Sequence, residues 1–220
     1  MRFHKPLAAA LAFAAAGSLV ACSSDDGKVE SGGGAAAPST APVAKIDRLS
    51  GQATSVTLDP GFVAGLTSLK LTPAPVGSAK IESGVATFPI TGGNVTYFTP
   101  GGPVNPYVQG LINHSGSGLS LTGGGIKVEL TDFVVDPAKS VLTGKVTANG
   151  KVAAESAPLF FLDGRTLKPL QTGAGDTAVL EGTTVSLTKE AADLLNKTYN
   201  VTALKQFFPV GVAKITVNTK

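Results

Sequence analysis

The sequence predicts a mainly β protein, an antiparallel sandwich or barrel with two short helices, preceded by a signal peptide and a disordered tether. Three observations predict it. Segments alternating polar with apolar residues recur through the chain, glycine- and proline-rich turns separate them, and only two stretches carry helical spacing. The alternating segments are GVATFPI, NVTYF, YVQGLIN, GLSL, GIKVELTDFVV, SVLTGKVTA and APLFFLD. A period of two marks a strand with one buried face. In IKVELTDFVV, Ile126, Val128 and Leu130 fall on one side, with Lys127, Glu129 and Thr131 on the other. The breaks between segments are TGG, PGGP, SGSG and TGGG, and Asp136-Pro137 turns the chain before Val141.

The N-terminus reads as an export signal. A basic stub (Arg2, His4, Lys5) precedes an apolar run from Leu7 to Val20, too short and too poorly flanked for a stable membrane span. The run ends in LVAC, Leu19 to Cys22, followed by SSDDGK. This resembles the bacterial lipobox, and the resemblance implies cleavage before Cys22 and acylation of that cysteine. An ordinary signal peptide with a cysteine nearby is the alternative. Acyl chains on Cys22 would hold the protein at a membrane surface without spanning it. Cys22 is the only cysteine, so neither an internal disulfide nor a thiol nucleophile is expected.

Loss of residues 1–21 removes Arg2 and Lys5 and no acidic residue, so the formal charge falls from +3 to +1. No nucleic-acid partner is expected at that charge. Residues 22–45 are rich in Gly, Ser, Ala and Pro and read as a flexible tether. Residues 46–220 then form a single β-rich domain, long enough for one sizeable core.

Two segments of that domain echo one another. TSVTLDPGFVAGLTSL…PAPVGSAKI, residues 54–81, resembles TTVSLTKEAADLLNKTYN…FFPVGVAKI, residues 183–215. Each reads as strand, short helix, strand. Asp59 caps the first helix with Pro60 at its first position, and Phe62, Leu66 and Leu69 follow at helical spacing. Thr188 caps the second, where Ala191, Leu194, Leu195 and Tyr199 form the apolar face. The pair suggests an old duplication, or two equivalent edges of one structure.

Catalytic groups are scarce. His114 is the only histidine beyond the signal peptide. A Ser-His-Asp triad would need it with Ser115 or Ser117 and an aspartate such as Asp132, but HSGSG reads as a hairpin turn. TGGGIK at 122–127 lacks the ending of a phosphate-binding loop and precedes a strand. The carboxylates are scattered without calcium-loop spacing, and no metal site is predicted. The chain is therefore expected to be non-enzymatic, with a secreted hydrolase ranked last. Aromatics offer another role. Phe160-Phe161 and Phe207-Phe208 are adjacent pairs, so one ring of each should face the core and the other lie outside it.

VQGLINHSGSGLSLTGGGIKVELTDFVVDP and VSLTKEAADLLNKTYN…PVGVAKITV resemble the Htaa domain family, secreted bacterial domains known for haem capture in actinobacterial surface proteins. The likeness touches about 70 residues, as judged from glycine and apolar positions. It implies a β-rich fold and places His114 on the family's turn histidine. The family's haem site also uses a tyrosine on an early helix, and DPGFVAGLTSL offers Phe62 there instead. An axial iron ligand would then come from His114 alone, or from Tyr97 or Tyr107 by a rearranged route. The expected function is a membrane-anchored bacterial surface or envelope lipoprotein that binds haem, another flat apolar ligand or a protein partner. The alternative is a structural or adhesive envelope protein with no small-molecule site.

Overall fold

The computed structural model describes residues 39–220, so the signal segment, Cys22 and the tether up to residue 38 lie outside the described residues. The chain runs β1 (Ala44–Ile46), β2 (Gln52–Leu58), α1 (Pro60–Ser68), β3 (Thr72–Gly77), β4 (Lys80–Glu82), β5 (Val85–Pro89) and β6 (Gly92–Tyr97). It continues through β7 (Val108–Gly123), β8 (Ile126–Asp136), β9 (Val141–Ala148), β10 (Lys151–Asp163), β11 (Gln171–Gly173), β12 (Thr177–Leu187), α2 (Lys189–Tyr199) and β13 (Pro209–Asn218). All strands join one sheet in the order β1-β6-β7-β8-β9-β10-β12-β13-β2-β5-β4, with β3 added to β7 and β11 to β12. Every pairing is antiparallel, and the sheet curls into a half-barrel. Among the described residues the chain adopts the expected mainly β class with two helices.

The curl has a local cause. Register shifts fall on neighbouring strands, at Ser115–Ser117 of β7, Asp132 and Phe133 of β8, Gly144 of β9 and Ala154–Ala157 of β10. Bulges increase local twist and bend the strand that carries them, so a row of them bends the sheet. Gly144 makes the bend possible, because a Cβ there would come within 2.8 Å of both Phe133 and Leu159.

The two helices fill one end of the curl. The Asp59 carboxylate accepts from the Gly61 and Phe62 amides at 2.7 and 3.1 Å, and Pro60 fills the first position, where no amide is needed. Thr188 caps α2 by accepting from Ala191 N at 3.1 Å, and Asn200 ends it in the left-handed region. Phe62 and Leu66 of α1 and Ala191, Ala192 and Leu195 of α2 are buried against the sheet. The Tyr199 hydroxyl fastens α2 by donating to Leu121 O at 2.6 Å. Leu58, Leu119, Phe160 and Val210 stand between this helical plug and the rest of the concave face.

The internal echo is half structural. Both copies run from strand through cap into helix, but their second strands differ. PVGVAKI lies within β13 between β12 and β2, whereas PVGSAKI breaks at Gly77, at φ +61, into β3 and β4. The segments are therefore not equivalent edges of the sheet.

The hairpin expected at HSGSG is absent. From Val108 on, YVQGLIN and GLSL belong to one 16-residue strand, β7. His114 pairs with Phe133 and Gly118 with Thr131, so Ser115, Gly116 and Ser117 together face Asp132. Gly116 N donates to the Asp132 carboxylate at 2.8 Å, and Ser117 Oγ donates to His114 O at 3.0 Å. The glycines that resemble turn signals make a wide bulge instead. Before it, β7 pairs with β6; after it, the same edge pairs with β3.

Candidate functional site

Beyond the helical plug the concave face lines a partly open cavity of about 730 Å³. That lies within the range of pockets that hold small organic ligands. Its walls are mainly apolar, with Val56, Phe88, Ile112, Phe133, Leu142 and Val185 contributed by six different strands. Lys45, Tyr107, Asp163 and Arg165 also border it. Arg165 is paired with Asp163, whose carboxyl it holds down at about 2.

His114 lies in the cavity wall and is 1% exposed. Its place follows from β7, where Ile112 and His114 share the concave face. Nδ1 stands 3.0 Å from Pro89 O. A carbonyl only accepts, so Nδ1 carries the proton; burial disfavours a second proton on the ring, which leaves Nε2 its lone pair. The Thr54 hydroxyl, 3.2 Å away, donates to Nε2. Phe88 meets the ring edge-on at 6.3 Å and continues to Phe133 at 5.3 Å. Burial pushes the imidazole pKa below its ordinary value, partly offset by the Pro89 and Phe88 carbonyls.

A pH dependence follows. The folded state binds this proton less readily than the unfolded chain, whose imidazole titrates near 6.5. The His114 contribution to stability is therefore complete above pH 6.5 and is lost as pH falls below it. Urea midpoints measured from pH 7.5 to 5.5 should fall for the wild type, and the fall should be smaller in His114→Gln.

Tyr97 and Tyr107 also line the cavity and stack edge-to-face at 5.8 Å. Burial and the neighbouring Tyr97 raise the Tyr107 phenol, which disfavours a phenolate. Tyr97 sits opposite Val108, six residues before His114 on β7, or about 20 Å along the strand. The three sequence-predicted residues share one cavity but do not converge on one point. Phe62, at the place of the family's helix tyrosine, packs against Phe208 in the helical plug instead. Ser115, Ser117 and Asp132 do not form a triad with His114, because Pro89 and Thr54 engage both of its ring nitrogens. Of the aromatic pairs, Phe160 is buried while Phe161 meets the 56%-exposed Phe207 at 5.2 Å. Thr54 escaped sequence reasoning, since a threonine in a strand carries no local signal.

The architecture has a solved counterpart. The chain is similar to the crystal structure of the C-terminal domain of HtaA from Corynebacterium glutamicum, with a TM-score of 0.54 at 11% identity. The match covers 77% of this chain and 97% of that domain. The likeness is one of fold. No family model matches the chain, and no curated protein matches it.

Proposed function

We propose that this protein is an exported, non-enzymatic envelope domain that holds a flat apolar ligand in the His114 cavity, with haem as the specific candidate. Acylated Cys22 would keep it at the membrane. Among the described residues no helix is long and apolar enough to cross a bilayer. The observation that carries the reading is a large apolar cavity with one buried, neutral histidine in its wall. The Htaa-like segments and the HtaA-like fold support the same reading.

The residues present fit haem in part. The cavity has the volume and apolar lining that a macrocycle needs, and the Nδ1–H of His114 donates to a backbone carbonyl, a bond that orients metal-ligating histidines. Haem would supply a Lewis-acidic iron, which the Nε2 of His114 would hold. The chain's own part is to exclude water with Phe88, Phe133 and Ile112 and to hold the imidazole neutral and oriented.

Titrating the full chain with metal-free protoporphyrin IX tests the cavity itself. Saturable one-to-one binding, followed by porphyrin fluorescence, is expected. Absence of saturation with both protoporphyrin and haemin would reject this function and favour a structural or adhesive envelope role.

A further inference from the structure

We infer that Thr54 weakens the hold of the cavity on a metal-bearing ligand relative to a metal-free one, because its hydroxyl occupies the one nitrogen of His114 that could reach a metal. This rests on the cavity reading above. The Nδ1 proton is committed to Pro89 O at 3.0 Å, so coordination must use the Nε2 lone pair. That lone pair accepts from Thr54 Oγ1 at 3.2 Å. One lone pair cannot serve a hydroxyl proton and a metal ion together.

Thr54 cannot easily withdraw. It is 6% exposed in β2, with its backbone paired to Phe88 of β5 on one side and Ile215 of β13 on the other. The strand is therefore held from both edges, and rotation about the first side-chain torsion is the remaining movement. Threonine is stiff there. The hydroxyl makes no second hydrogen bond among the described residues, so rotation leaves a buried donor without its partner. That penalty corresponds to roughly a tenfold loss of affinity, and it applies to a metal-bearing ligand but not to a metal-free one of the same shape. Thr54 is thus a specificity-determining residue, acting through His114.

The test compares Thr54→Val and Thr54→Ser with the wild type, each titrated with haemin and with metal-free protoporphyrin IX. Valine keeps the shape and removes the donor; serine restores the donor. Thr54→Val should bind haemin about tenfold more tightly, with a Soret band typical of nitrogen ligation, while protoporphyrin affinity changes less than about twofold. Thr54→Ser should behave as the wild type. In the ligand-free chain, nitrogen NMR should show the His114 Nε2 resonance moving in Thr54→Val while the protonated Nδ1 stays in place. Equal changes for the two porphyrins, a serine variant that behaves like valine, or an Nε2 protonated in the wild type would overturn the inference. Protoporphyrin binding with haemin indifferent to Thr54 would overturn it alone. Failure of both porphyrins on every variant would remove the cavity reading and this inference with it.

Discussion

Replacing Phe133 by alanine is expected to lower the unfolding free energy by about 3–5 kcal/mol, the range for deleting a buried aromatic ring. Phe133 is 2% exposed and links two neighbours edge-on, Phe88 at 5.3 Å and Phe160 at 6.2 Å. It also pairs directly with His114 across β7 and β8, and Gly144 of β9 leaves room for its ring. Truncation would merge its volume with the existing cavity, so there is little left to collapse into the gap. A urea titration should show a lower midpoint with an unchanged slope. A loss below about 1 kcal/mol would mean that the ring chain does not hold the concave face together.

The second large effect is expected at Gly77. Its φ of +61 lies in the left-handed region, and an added Cβ would overlap the carbonyl oxygen of Gly116. That carbonyl already accepts from Ser78 N at 3.1 Å, where the end of β3 meets the β7 bulge. Gly77→Ala combines left-handed strain with loss of this contact, and should cost about 2–3 kcal/mol. Gly84→Ala is the matched control. Its φ is +77 but nothing lies within 4 Å of the added Cβ, so strain alone, about 1 kcal/mol, remains. Equal losses in the two variants, read by the same urea midpoints, would show that the overlap with β7 does not matter.

These two sites show what was legible in the sequence. β5, β8 and β9 follow period-two alternation over most of their length, and both helices start at the caps their residues announce, Asp59 and Thr188. Glycine was harder to read. In PVGSAKI and PVGVAKI the same residue serves two ends. Gly77 turns the chain, while Gly211 stays in a strand paired on both edges, where a Cβ would overlap Thr57 O. SGSG has the composition of a turn, but β8 and β3 continue alongside it, so pairing on both edges makes it a bulge. That pairing is long-range and leaves no local trace.

The site was less legible than the fold. His114 stood out by rarity alone. Its hydrogen-bond partners are a hydroxyl 60 residues away and a backbone carbonyl of Pro89, and neither has a side-chain pattern to read. The cavity is a property of the curl, since its walls come from strands separated by most of the domain. Tyr97 and Tyr107 reach the same cavity yet stay distant from His114, because β6 pairs with the first half of β7 in a register that sets them apart.

The most direct measurement is a haemin titration of the full chain beside its His114→Ala variant, with metal-free protoporphyrin IX as the control. The expected result is a one-to-one Soret shift in the wild type that His114→Ala abolishes, with protoporphyrin binding retained by both. A variant that shifts haemin as the wild type does, or a wild type that gives no shift, would contradict the assignment of His114 to the bound ligand.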